Sequence, residues 1–279
     1  MIKDFASVVL CTYNRAHLLK RSLKCYARQT EKRFELIILD DGSSDDTEAL
    51  VKSFSGQLKI SYVKLDDKKP GEWRDAGAIV NRGIMKSRGE FVYIAHPEVM
   101  ICFDCIEKAN RTLRAHPDHY FNSRTYYLTF SMQEKIDSVD WENDFYAIRN
   151  IEGFYDNKEP LYKEEYLGMV INPYSTPSFA ETCDEWESWI FGGMLRTKWK
   201  EFGGLNESDH WGTVDFDFIQ RRRLLNWVTN SPKDIFVIHQ NHDKAEGQFQ
   251  PTVRDFDSML KDTVKQFGRK RNFLKDMEL

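Results

Sequence analysis

The sequence predicts an α/β protein whose mostly parallel central sheet is flanked by helices. Three observations carry that reading. Short β-branched runs recur with helical stretches between them, the runs are apolar without alternation, and polar residues gather where each run ends. Strands alternating with helices at this spacing build βαβ units. A strand covered on both faces reads as continuously apolar, and ligands of such sheets bind beyond the C-terminal strand ends.

Ala6–Cys11 is the first run, broken by Thr12-Tyr-Asn-Arg15. From His17 the apolar positions 18, 19, 23, 26 and 27 keep a helical period. Phe34–Asp41 is a second buried strand that ends in two acids, and Gly42–Thr47 supplies a turn and N-cap residues for a helix near 46–54. Lys59–Lys64 reads as a third strand, and a helix over 74–88 leads into a strand at 90–95. Thr12, Asp40, Asp41 and His96 thereby fall at strand ends. From about 117 to 190 the chain is rich in Tyr, Trp, Phe and acids, with weak periodicity. Elements resume at Trp189–Arg196, in a helix near 214–225 and in a strand at Asp234–His239, and a polar tail carries a helix over 253–268.

Composition narrows the class. The chain of 279 residues can bury a large core, and 41% hydrophobic with 30% charged residues is ordinary for a globular protein. A net charge of −4 gives no global pull toward a polyanion. The longest apolar runs fall far short of the roughly 18 residues that span a bilayer, and Met1-Ile-Lys-Asp enters a strand-like run without a secretory leader. Five scattered cysteines, including Cys102 and Cys105 in a lone C-x-x-C, read as buried or free thiols, and a cytoplasmic location is the simplest fit. Arg221–Arg223 and Arg269–Arg271 are solvated faces, or contacts for membrane phosphates or a nucleic-acid acceptor.

The motifs point further. Ser7-Val-Val-Leu-Cys-Thr-Tyr-Asn-Arg15, Phe34-Glu-Leu-Ile-Ile-Leu-Asp-Asp-Gly-Ser-Ser-Asp45 and Gly89-Glu-Phe-Val-Tyr93 are followed, in order, by Phe202-Gly-Gly-Leu-Asn-Glu207 and Asp215-Phe-Asp217. Together they resemble the family 2 glycosyltransferases of the GT-A fold. The resemblance implies a nucleotide-sugar-binding half over 1–116, an acceptor and catalytic half over 117–245, and a helical tail over 246–279. It also implies a nucleotide-sugar donor, a UDP-sugar above all, and a glycan or other hydroxyl acceptor.

A nucleotide base needs in-plane hydrogen-bond partners and a wall, and Thr12, Tyr13 and Asp41 at adjacent strand ends offer both. By resemblance, Asp41 faces the base while Asp40 supports the loop, with Asn14, Arg15 and Arg74 on the nucleotide side. The alternative for the two acids is capping of the next helix. A diphosphate leaving group calls for a divalent cation on oxygen ligands. Where the family carries Asp-x-Asp, this chain has His96-Pro97-Glu98. Glu98 keeps a hard oxygen ligand, and His96 adds a nitrogen that suits Mn²⁺ better than Mg²⁺. The alternatives are a His96 that contacts ribose or phosphate, or a site that works without metal. The late histidine that closes such sites falls to His239, with His242 either beside it or on the surface.

The same resemblance assigns the base of an inverting displacement to Asp215, with Val214 in place of the usual preceding acid. Asp217 orients the helix or binds acceptor. Trp189, Gly192, Gly193 and Trp211 correspond to the segment that lines the sugar side. The competing reading is an inactive nucleotide- or sugar-binding module of the same fold. A nucleotidyltransferase is disfavoured because residues 6–20 contain no glycine for a phosphate loop.

Overall fold

A computed structural model describes residues 1–67, 75–154, 190–207 and 213–242. The first half follows the expected alternation: β1 (Ile2–Thr12), α1 (Ala16–Ala27), β2 (Phe34–Asp40), α2 (Thr47–Ser53), β3 (Ile60–Lys64), α3 (Ala76–Lys86) and β4 (Gly89–Ala95). A short β5 (Val99–Ile101) and α4 (Cys105–Ala115) come next, then β6 (Tyr120–Asn122), β7 (Arg124–Tyr127) and α5 (Phe130–Lys135). Two 3-10 turns at Ile136–Ser138 and Phe145–Asn150 follow. Beyond them lie β8 (Phe191–Leu195), α6 (Arg196–Phe202), α7 (Thr213–Leu224), β9 (Thr229–Asn230) and β10 (Phe236–His239). The tail helix expected over 253–268 lies outside the described residues.

β1 is longer than the sequence suggests. Its polar beginning pairs with Gly89 across an irregularity between Ile2 and Ala6, where Asp4 adopts a positive φ of 54°. A bulge of this kind lets a strand continue through residues that break the apolar pattern. The elements at 120–150 were not legible either. They bury Phe, Tyr and Trp rings against one another, as where Tyr126 stacks on Phe154 and meets Phe236 edge-on. Such clusters need no fixed spacing along the chain.

The main sheet has seven strands in the order β3-β2-β1-β4-β8-β6-β9, and the β1–β2, β2–β3, β1–β4 and β6–β9 pairs are parallel. β8 runs antiparallel to β4, so strands from both halves of the chain share one sheet. Both faces are covered, which is why the central strands are apolar throughout. Val8, Leu10, Ile38 and Tyr93 point into a core formed with α1 and α4, while Val9, Ile37, Val92 and Ile94 meet α3, α6 and α7. A second sheet, β5-β10-β7, sits beside the first.

Close backbone approach explains the paired glycines of β8. A Cβ on Gly192 would lie 2.0 Å from the Tyr120 hydroxyl, and one on Gly193 would lie 2.3 Å from the Val92 carbonyl oxygen. Trp199 of α6 donates its indole N–H to that same oxygen at 2.9 Å. The glycines therefore make room for the protein's own rings and strands. Gly193→Ala is expected to destabilise the fold by about 1–3 kcal/mol through overpacking, read as a lower urea midpoint at unchanged slope.

Candidate active site

The C-terminal ends of β1 and β2 meet in a braced pair of loops. The Asp41 N–H donates to the Thr12 carbonyl at 2.8 Å. Asp40 is fully buried, accepts from the Ser43 N–H at 2.7 Å and takes a short hydrogen bond from the Tyr62 hydroxyl. Asn14, at a φ of 50°, donates its N–H to Ser43 Oγ at 2.9 Å and accepts from the Ser44 N–H at 2.8 Å. Asp45 accepts from the Ala16 N–H at 2.9 Å, which ties the start of α1 to the β2–α2 loop.

Asp40 thus braces the loop, and Asn14 braces it from the β1 side. Asp41 and Thr12 are 5% and 2% exposed. Thr12 Oγ1 is buried with no hydrogen-bond partner among the described residues, an orphaned polar atom of the kind that a ligand satisfies. Tyr13 and Arg15 are half-buried on the same rim.

His96-Pro97-Glu98 forms a tight turn, closed by the Val99 N–H on the His96 carbonyl at 3.2 Å. This turn carries the chain from β4 in the large sheet to β5 in the small one. Because β5 pairs antiparallel with β10, His239 lies opposite Val99 and next to Glu98. His96 Nδ1, His239 Nε2 and His242 Nε2 approach the same Glu98 Oε1 at 3.5, 3.3 and 3.4 Å. The donor atoms of His96, Glu98 and His239 all lie within 4.8 Å of one another. Two imidazoles and a carboxylate at that spread fit one divalent cation.

The turn is pinned from several sides. Ser22 of α1 donates to the Pro97 carbonyl at 2.7 Å. Gln240, completely buried, donates its side-chain amide to the Glu98 carbonyl at 2.9 Å and to the Leu18 carbonyl at 3.0 Å. Its amide oxygen accepts from Arg21 at 3.2 Å. The imidazole of His239 packs on Tyr127 with ring centroids 4.7 Å apart. Sequence reasoning missed Gln240 and Ser22. Only the place of Gln240 next to His239 hinted at a role, and nothing did so for Ser22, because helix and strand patterns do not say which carbonyl a side chain will reach.

Burial alone would push Glu98 up, but hydrogen bonding from His239, His242 and His96 outweighs it and holds the carboxyl well below its ordinary range. Burial pushes His239 below the ordinary imidazole value, against the pull of Glu98.

The remaining candidates divide. Asp217 is buried and accepts from Arg221 Nε at 2.7 Å, while Arg221 also donates to the Phe202 and Gly204 carbonyls at 3.2 and 2.7 Å. The pair orients α7 against α6, and Arg221 belongs to the interior rather than to a solvated basic face. Asp215 lies in the first turns of α7, where its carboxylate is outside the described side chains. Arg74, Trp189 and Trp211 lie outside the described residues. Cys25, Cys102 and Cys105 are buried free thiols.

The comparisons agree with this architecture. The family model for glycosyl transferase family 2 matches residues 7–157. Chondroitin synthase of Escherichia coli is 41% identical over 264 residues, covering 89% of this chain and 36% of the synthase, so the chain spans about a third of that relative's length. Among solved structures, S. aureus TarS in complex with UDP-GlcNAc superposes with a TM-score of 0.60 at 14% identity, covering 99% of this chain and 68% of that one. The mannosyltransferase PcManGT from Pyrobaculum calidifontis, in complex with GDP-Man and Mn²⁺, gives 0.57 at 15% identity over 88% of this chain and 59% of that one. A chain with these strand-end acids, this metal-competent turn and this match belongs to glycosyl transferase family 2, and its fold is GT-A. Among the described residues no helix is long and apolar enough to cross a membrane.

The site carries a pH signature. Both shifted groups bind protons more readily in the unfolded chain, so stability rises with pH between each folded value and its unfolded one. On acidification His239 acts first, below about pH 6.5, and Glu98 adds to it below about pH 4.3. Thermal melts in chelator should show a midpoint that falls as pH drops from 6.5 to 5, and His239→Gln should flatten that limb.

Proposed function

We propose that this chain transfers a sugar from a nucleotide-sugar donor, of the UDP type, to a hydroxyl of a glycan acceptor, with a divalent cation and inversion at the anomeric carbon. The observation that carries this reading is convergence: Thr12 and Asp41 close the ends of β1 and β2, and the His96–Glu98 turn closes the end of β4, which neighbours β1 in the sheet. A polar rim beside a turn of ionisable groups supports this reading, because it matches the order in which a nucleotide presents its base and its diphosphate. Relatives support the substrate class, since TarS is seen with UDP-GlcNAc, PcManGT with GDP-Man and Mn²⁺, and a chondroitin synthase is 41% identical over 264 residues.

The residues divide the work. Thr12 Oγ1 and the Asp41 carboxylate hold the base, with Tyr13 as a wall, and the family resemblance assigns Arg15 and Arg74 to the nucleotide. His96, Glu98 and His239 hold the cation, with Mn²⁺ favoured over Mg²⁺ because two of the three donors are nitrogen. When bound, the cation neutralises charge that develops on the departing diphosphate. Asp215 takes the proton from the acceptor hydroxyl as its oxygen bonds to the anomeric carbon and the bond to the nucleoside diphosphate breaks. The family resemblance assigns Trp189 and Trp211 to the sugars, and Asp217, through Arg221, sets the helix that carries the base.

Mass spectrometry of reactions with UDP- and GDP-sugars, Mn²⁺ and a short glycan should show transfer or donor hydrolysis with a UDP-sugar. Asp215→Asn should lower turnover by about 10²–10⁴-fold while the UDP-induced shift in melting midpoint persists. Equal turnover in Asp215→Asn and wild type would instead favour a binding module. No thermal response to any nucleotide, with or without metal, would overturn the reading.

A further inference from the structure

We infer that the groove between α1 and the segment 136–143 is a second binding site, which holds an uncharged, polyhydroxylated oligosaccharide chain. Its use, as a hold on acceptor glycan beside the reacting centre, rests on the glycosyl-transfer reading above. Its chemistry rests on the groove alone.

The groove has a volume of about 690 Å³, within the roughly 300–1,000 Å³ of ordinary ligand clefts. Its two walls carry opposite chemistry. α1 buries Leu18, Leu19, Leu23 and Tyr26 in the core, and lines the groove with Lys20, Arg21 and Lys24, followed by Arg28 at its C-cap. Residues three and four apart share one face of a helix, so these cations form a row. Asp137, Asp140 and Glu142 line the facing wall, with the Ser138 hydroxyl and the Asn143 amide among them. Ion pairs cross the gap, from Arg21 to Asp137 and from both Lys24 and Arg28 to the one Glu142. Partly solvated pairs of this kind contribute little each, so a ligand can compete for them. Lys20 is exposed and has no partner among the described residues.

Charge and polarity select the occupant. Four cations, His17 apart, against three carboxylates leave the groove close to neutral. A polyanion drawn to the α1 wall would be repelled by the wall opposite. A peptide needs apolar anchors, yet Trp141 is 1% exposed and Val139 is half-buried. A sugar hydroxyl donates and accepts at once. A row of hydroxyls therefore satisfies the ammonium and guanidinium donors on one side and the carboxylates on the other.

The groove also leads to the right place. Arg21 donates to the Gln240 side chain at 3.2 Å, and Gln240 in turn donates to the Glu98 carbonyl. The groove thus adjoins the turn beside which transfer is proposed. From Arg21 to Arg28 it follows α1 for about 10 Å, so a glycan lying in it would be gripped over more than its reacting end.

The test uses the full chain labelled with ¹⁵N, without donor or metal. The Trp141 indole N–H donates to Asp137 at 3.4 Å and so reports from the groove wall. Its resonance is assigned by its loss in Trp141→Phe. Titration with chitohexaose, maltohexaose and cellohexaose should move that resonance saturably for at least one of the three. The affinity should be the same in about 50 and about 500 mM NaCl, because salt screens charge attraction and not hydroxyl contacts. Lys20→Ala and Asp140→Ala should each weaken this binding by about 3–10-fold, while Lys52→Ala on α2 leaves it unchanged. No saturable movement with any of the three sugars would overturn the site. Displacement by heparin, with an affinity that falls steeply with salt, would overturn the occupant in favour of a polyanion. Groove binding in a chain that responds to no nucleotide would sink the proposed function and spare this site. Transfer to a glycan with the Trp141 resonance unmoved and Lys20→Ala silent would do the reverse.

Discussion

Glu98 is a carboxylate that is 7% exposed, placed on a turn between two sheets, with three imidazoles around one of its oxygens. An ionised carboxylate in such surroundings is costly unless donors or a cation compensate it. Much of the neighbouring structure meets that constraint. β10 must sit against β5 to bring His239, the run after β10 must turn back to bring His242, and Gln240 must be buried between them. α1 contributes Ser22 and the Leu18 carbonyl, so the helix after the first strand is tied to the turn after the fourth. The two sheets are joined where the charge is.

The nucleotide side is governed by a different economy. There the polar groups are mostly used up within the protein: Asp40 on Ser43 and Tyr62, Asn14 on Ser43 and Ser44, Asp45 on Ala16. Rigid loops of this sort leave a ligand to find few groups, already oriented, which lowers the ordering cost of binding. Thr12 stands out because its hydroxyl is buried yet has no partner among the described residues. On the proposed reading, a braced rim at β1 and β2 and a charged turn after β4 separate recognition of the base from handling of the diphosphate charge. That separation suits a scaffold on which donor and acceptor vary, since family membership speaks to the class of chemistry rather than to the particular sugar.

Legibility in the sequence was uneven, for physical reasons. β2, β3, β4, α1, α2 and α3 were readable to within a residue or two because a sheet covered on both faces needs unbroken apolar runs, and its helices need a 3.6-residue stripe. β1 was read short, since its beginning is polar and passes through a bulge at Asp4. The segment 120–150 was not readable, because aromatic clusters satisfy themselves at any spacing. Gly192 and Gly193, expected on the sugar side, pack closely on Tyr120, Tyr93 and Val92, contacts that no local pattern announces. Arg221 looked like part of a basic surface run and is instead the buried partner of Asp217.

What the sequence by itself determined was the order of strands and helices and the kind of chemistry at their ends: paired acids after β2, an imidazole and a carboxylate after β4, an imidazole at the end of β10. Local propensity and chain order suffice for that, because strand ends are set within a few residues. The family resemblance set His239 beside His96 and Glu98 as an expectation; no local pattern of the chain does so, and it is tertiary structure that brings these groups together. His96 and His239 are far apart in the chain, and nothing local requires β10 to lie beside β5. That pairing follows from burying two sheets against common helices, and with it come the shared Glu98 oxygen, the approach of His242 to it and the clamp of Gln240.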